Sequence, residues 1–89
     1  MTNTVSLLED LLQSLKPIHL TIQDDSHLHA GHAGNTGGGH FTLLIVSDDF
    51  TGLSLIKRHR LVFDTVGDLM KTHIHALSIQ AKTPAEFSA

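Results

Sequence analysis

The sequence predicts an α+β fold in which helices pack against a three-stranded mixed sheet. Three segments carry strand-like apolar patterns, at residues 18–23, 40–46 and 74–81. The segments before the first strand and between the second and third space their apolar residues as a helix does, and the segment after the third begins with helix-capping residues. At 89 residues, the chain is predicted to form a single domain over residues 1–89.

A proline separates the first helix from the first strand. Apolar residues three and four apart near the N-terminus give that helix one apolar face. The helix is predicted to end at Lys16, because the residue before Pro17 is pushed out of the helical region. The half-buried strand that follows is indicated by three alternating apolar residues, Ile18, Leu20 and Ile22.

The second strand is predicted to be the most buried one, because its apolar residues occupy both faces. Residues 53–69 then show helical spacing, but the basic residues 57–60 interrupt it. One straight helix and two short helices with a bend near His59 both fit this pattern.

The third strand alternates so that His75, Leu77 and Ile79 are predicted to share one face. Thr83-Pro84-Ala85-Glu86 is predicted to begin a short final helix, with threonine as its N-cap. Strands one and two can pair antiparallel. Strand three follows a helical crossover, so it should run parallel to strand two.

The composition excludes several classes of protein. The chain has eight histidines and no cysteine, so it has no disulfide and no thiolate ligand of its own. No apolar run approaches the ~20 residues of a membrane span, and the N-terminus lacks a signal-like segment. A formal net charge of -3 argues against a strongly basic nucleic-acid-binding domain. We expect a cytoplasmic, bacterial protein that does not bind membranes.

Four of the histidines lie in or beside a glycine-rich loop predicted at about residues 25–39. Imidazole is a common ligand of borderline metals, and its charge changes near neutral pH. The spacing of His27, His29 and His32 would allow the loop to hold zinc or nickel by itself, although no Cys-x-x-Cys or His-Glu-x-x-His order is present. A solvated flexible loop with incidental histidines is the alternative.

Five strings occur in the order typical of one family, and together they are far more specific than any one alone. They are Ser26-His27-Leu28-His29, Val46-Ser47-Asp48-Asp49-Phe50-Thr51-Gly52-Leu53-Ser54, Arg58-His59-Arg60-Leu61-Val62, Ile74-His75-Ala76-Leu77 and Lys82-Thr83-Pro84-Ala85-Glu86-Phe87. Through them the chain resembles the BolA proteins over almost its whole length.

The resemblance implies a class II KH-like fold with the order α-β-β-α-α-β-α. It also implies a non-enzymatic adaptor in iron-sulfur or iron homeostasis, which binds a monothiol (CGFS-type) glutaredoxin and shares a bridged 2Fe-2S cluster with it. The partner's cysteine and glutathione supply thiolates, and the BolA protein supplies histidine. Some bacterial members are also described as DNA-binding transcriptional regulators of cell shape, biofilm and stress. A weak homodimer is expected when the chain is alone.

The resemblance also assigns the candidate metal ligands. His75 matches the family's strand-start histidine and His29 its loop histidine, whereas His27 and His32 fall outside the pattern and are secondary candidates. A lone histidine on a strand face is more often structural, but the first residues of a strand open towards loops. A neutral imidazole can replace thiolate on a 2Fe-2S iron.

The basic segment Lys57-Arg58-His59-Arg60 has three interpretations. It can be a solvated helix face, a docking surface for the partner or for glutathione carboxylates, or a contact with the DNA backbone. The Gly-x-x-Gly loop with which KH domains bind nucleic acid is missing, and Ile56-Lys57-Arg58-His59 occupies its place. No nucleophile motif or phosphate-binding glycine loop is present, so we expect no enzymatic activity.

Overall fold

The computed structural model describes residues 4–25 and 39–88, and it confirms the predicted α+β class. The predicted histidine-rich loop lies almost entirely outside these residues. Within them, no helix is long and apolar enough to cross a membrane. The elements are α1 (Thr4–Leu12), β1 (His19–Asp24), β2 (Gly39–Val46), α2 (Leu55–Val66), α3 (Leu69–Thr72), β3 (Ile74–Lys82) and α4 (Pro84–Ser88).

The sheet has the predicted mixed topology, with strand order β1-β2-β3. β1 pairs antiparallel with β2, and β2 pairs parallel with β3 after the helical crossover. β2 is therefore the central strand, as its apolar residues on both faces indicated. The parallel pairing places the first residues of β2 and β3 at the same end of the sheet.

The core lies between the sheet and the two longest helices. Leu43 and Ile45 of the central strand are fully buried, and the helices cover them. Each helix presents apolar residues at four-residue spacing, which is the spacing of one helix face. The fully or almost fully buried helical residues are Leu8 and Leu12 of α1 and Val62 and Val66 of α2.

β3 departs from the predicted alternation at its start. Gly39 pairs with Ile74 but His40 pairs with Ala76, so His75 has no Cα partner in β2. Ile74 is buried and His75 is exposed. The prediction that His75 shares a face with Leu77 is therefore wrong, because one extra residue in a strand reverses the phase of every side chain beyond it.

α2 runs without a bend through the basic segment, so the alternative of two helices meeting near His59 is wrong. The Ser54 side chain caps the helix by accepting a hydrogen bond from the Lys57 N–H. The helix ends instead at Gly67, whose φ of 23° marks the break before α3. The helix continues through the basic segment because Arg58 is buried on the same face as Val62, so the buried face of α2 is not interrupted there.

The turn after β2 connects the sheet to the end of the first helix. α1 ends in a 3₁₀ turn, and Lys16 takes a left-handed conformation (φ 51°, ψ 55°), which confirms that the helix stops before Pro17. The buried Ser47 hydroxyl donates to the Leu15 carbonyl and accepts from the Asp49 N–H. The Ser47 hydroxyl therefore links the end of the first helix to the turn after β2 by hydrogen bonds to the backbone of both.

A matched pair of leucine substitutions tests this assignment of the core. We expect Leu43→Ala to lower the free energy of unfolding by about 2–5 kcal/mol, because Leu43 is fully buried in the central strand. Leu55→Ala is the control, since Leu55 is 66% exposed and alanine favours helix. It should change stability by about 0.5 kcal/mol or less in urea unfolding. Equal losses in the two variants would contradict the packing.

Candidate functional site

Two imidazole rings meet where β2 and β3 begin. The ring centroids of His40 and His75 are 5.0 Å apart, with the planes inclined at 39°. The register shift turns His75 to the exterior, and the parallel pairing places His40 beside it. A hydrogen bond of 3.0 Å from the Gly39 N–H to the His73 carbonyl fixes this end of the two strands. The pair therefore lies at the end of the sheet where β2 and β3 begin.

His40 is a site residue that sequence reasoning missed. It lies in the histidine-rich stretch, but as the second residue of β2 it belongs to the sheet. The signal was available, because a parallel pairing of the second and third strands brings their first residues together. Reading the topology and the histidine positions jointly would have placed His40 next to His75.

The neighbouring strand supports His40 through its backbone. The Asp25 N–H donates to the His40 carbonyl at 2.8 Å, and the Thr42 hydroxyl donates to the Asp25 carboxylate at 2.6 Å. The second carboxylate oxygen of Asp25 is buried, with no hydrogen-bond partner in the described part of the chain. This network holds the start of β2 against the end of β1.

The other predicted ligands cannot be placed. His27, His29 and His32 lie outside the described residues, so their roles remain predictions. Across residues 4–25 and 39–88, no three histidine, aspartate or glutamate side chains form a group that could hold a metal ion. The start of β2 and β3 carries a pair of imidazoles. They can serve as neutral metal ligands if another molecule supplies the remaining ligands.

The structure gives Arg58 a different role from the expected one. Its side chain is only 10% exposed, and its donors bind within the fold. The guanidinium donates to the carbonyls of Leu53 at 2.9 Å and Ala81 at 3.1 Å, and to the Glu86 carboxylate at 2.6 Å. Arg58 therefore joins α2 to β3 and α4, and Lys57 and Arg60 are the exposed cations of the segment.

The predicted capping box of the last helix is confirmed. The Thr83 hydroxyl accepts from the Glu86 N–H, and the Glu86 carboxylate accepts from the Thr83 N–H. The Phe87 ring stacks on His19 of β1 at a centroid distance of 4.9 Å. The hydrogen bond from Arg58, followed by that from the Thr83 backbone, lowers the pKa of Glu86 from its usual 4.5.

The fold and the site together define a small α+β domain that presents imidazoles at one end of its sheet. Residues 11–86 match the family model described as BolA-like protein, and the chain belongs to this family. The solved structure of BolA1 from Arabidopsis thaliana has a TM-score of 0.84 at 44% identity, covering 97% of each chain.

Two curated relatives show how the family varies. The chain is 52% identical over 84 residues to SufE-like protein 1, chloroplastic/mitochondrial, of Arabidopsis thaliana, covering 88% of this chain but 23% of that protein. It is 34% identical over 79 residues to the DNA-binding transcriptional regulator BolA of Escherichia coli (strain K12), covering 89% of this chain and 73% of that one. The chain also spans 51% of Protein BOLA1, chloroplastic, of Arabidopsis thaliana.

The ion pair of Glu86 predicts a pH dependence of stability. Because the pKa of Glu86 is lowered in the folded state, the ionised carboxylate favours folding above its usual pKa of 4.5, and this contribution is lost as pH falls through the folded-state value. The stability advantage of wild type over Glu86→Gln should therefore shrink below pH 4.5.

Urea unfolding between pH 7 and pH 3 measures this advantage. Glu9→Gln, at an exposed position of α1, corrects for the general loss of one carboxylate. An advantage that stays constant down to pH 3 would show that the ion pair with Arg58 does not stabilise the fold.

Proposed function

We propose that this chain is a non-enzymatic adaptor in iron-sulfur cluster or iron homeostasis. It binds a monothiol glutaredoxin and shares a glutathione-dependent 2Fe-2S cluster with it through histidine ligands. The observation that carries the proposal is the exposed His75 ring, 5.0 Å from His40 at the end of the sheet where β2 and β3 begin. Membership of the BolA family supports it.

The donor set of the chain fits a shared cluster better than a resident one. A 2Fe-2S cluster needs four ligands, and the chain has no cysteine to supply thiolate. The glutaredoxin cysteine and glutathione would supply sulfur, and His75 would supply imidazole. His29 is the second ligand that the resemblance implies, and His40 is a second imidazole already beside His75.

Imidazole ligands would make the shared cluster easier to transfer. A neutral histidine replaces a charged thiolate and raises the reduction potential of the iron that it binds. Protonation of an imidazole competes with its binding to a metal. We therefore propose that histidine ligation serves to release or transfer the cluster. That the protein acts in the cytoplasm remains a prediction.

A DNA-binding regulator is the second candidate function, because Lys57 and Arg60 are exposed on consecutive turns of α2. The Escherichia coli relative is named as such a regulator. Arg58 is engaged within the fold, so two cations rather than three are available for phosphates. Neutralising two phosphates gives a salt slope of only about -1.8, which means weak binding unless several copies bind together.

Cluster sharing can be tested with purified components. Mixing the chain with glutathione and a cluster-loaded monothiol glutaredoxin should change the visible absorption and circular dichroism of the cluster, because its ligands change. His75→Ala should abolish the change, and His73→Ala, an exposed histidine two residues away, should not. His29→Ala and His40→Ala identify the second ligand. A wild-type spectrum identical to that of the glutaredoxin alone would contradict the proposal.

DNA binding can be tested by fluorescence anisotropy on a labelled duplex at two salt concentrations. If α2 contacts phosphates, Lys57→Ala and Arg60→Ala should each weaken binding and reduce the salt slope by about 1. Lys71→Ala, at an exposed position of α3, is the control. Binding that neither α2 variant weakens would exclude this surface.

A further inference from the structure

A second surface lies at the opposite end of β3 from the two histidines. An open cavity of about 550 Å³ lies between the start of α2, the end of β3 and α4. The lining residues Ile79 and Ala81 lie four and six positions after His75 along β3, which places them about 13 Å and about 20 Å from it. Its lining includes Leu55, Arg58, His59, Ile79, Lys82 and Glu86.

The apolar part of this surface extends beyond the cavity. Leu55 is 66% exposed and the adjacent Ile56 is 69% exposed, and they are the two most exposed large apolar residues in the described part of the chain. Ile79 and Ala81 add apolar lining inside the cavity. Neighbouring apolar residues left in water are typical of interaction sites.

The charged part of the surface is cationic, although the chain as a whole carries a net charge of -3. Two of the six lysine and arginine residues, Arg58 and Lys82, line the cavity, and the exposed Arg60 lies one turn after Ile56 on the same face of α2. Among the described residues of the lining, Glu86 is the only carboxylate, and Arg58 pairs with it at 2.6 Å. The cations that Glu86 does not pair with are Lys82 in the lining and Arg60 beside Ile56.

We propose that this surface binds an acidic segment of a partner protein that carries leucine-type or isoleucine-type side chains. The cationic rim attracts the carboxylates, and the apolar floor receives the aliphatic side chains. A phosphate backbone matches only the rim, because it offers nothing apolar to Leu55 and Ile56. The separation of about 13–20 Å along β3 leaves the histidine end of the sheet accessible while the segment is bound.

The proposal does not depend on cluster sharing. A domain with two separate surfaces can hold one molecule at the histidine end of the sheet and another at the α2–β3–α4 surface. The chain then links two molecules.

Fluorescence anisotropy with a twelve-residue labelled peptide that alternates glutamate and leucine tests the proposal. The expected result is saturable binding that weakens about tenfold in Lys82→Glu and in Leu55→Ser, because each removes one of the two recognised features. Both positions are partly or largely exposed, and thermal unfolding followed by circular dichroism confirms that the variants fold. Lys71→Glu, which makes the same charge change on α3, should leave the affinity unchanged.

Three outcomes would overturn the proposal. One is the absence of saturable binding up to 1 mM protein. A second is equal affinity for a peptide in which lysine replaces glutamate. The third is tighter binding of a labelled 20-base-pair duplex with loss in Lys82→Glu but not in Leu55→Ser, which would assign the surface to phosphates instead.

Discussion

The one-residue register shift at the start of β3 determines what the sheet edge can present. Without it, a strand that keeps Leu77 and Ile79 on the core side would turn Ile74 outward and His75 into the core. Leaving an isoleucine exposed forgoes about 1.5–3 kcal/mol, and burying an imidazole without a partner costs about 1–3 kcal/mol. The shift avoids both costs, because Ile74 stays buried, Leu77 and Ile79 return to the core side, and the His75 ring reaches water beside His40.

The opposite end of the same strand is organised around a buried cation. Burying an arginine is costly unless its donors are satisfied, and Arg58 meets this condition with two carbonyls and the Glu86 carboxylate. The result is a rigid junction of α2, β3 and α4. Because Arg58 is engaged inside the fold, Lys57 and Arg60 are the exposed cations of the basic segment.

The helices and strands could be predicted from local sequence patterns. The register shift at the start of β3 and the burial of Arg58 could not. The existence of three strands, the helix end before Pro17 and the Thr83 capping box follow from local signals, and the structure confirms them. The register shift depends on how β2 pairs with β3, and no local period reports such pairing. Arg58 looked like an exposed cation because its partners, Ala81 and Glu86, lie more than twenty residues away.

The ring contact between His40 and His75 can be observed directly by solution NMR of the chain alone. Rings with centroids 5.0 Å apart should give nuclear Overhauser cross-peaks between their carbon-bound protons. His75 should give none to the methyl groups of Leu77 and Ile79. Cross-peaks from the His75 ring to those methyl groups, with none to His40, would show that the strand keeps an unbroken alternation and that the imidazole pair does not form.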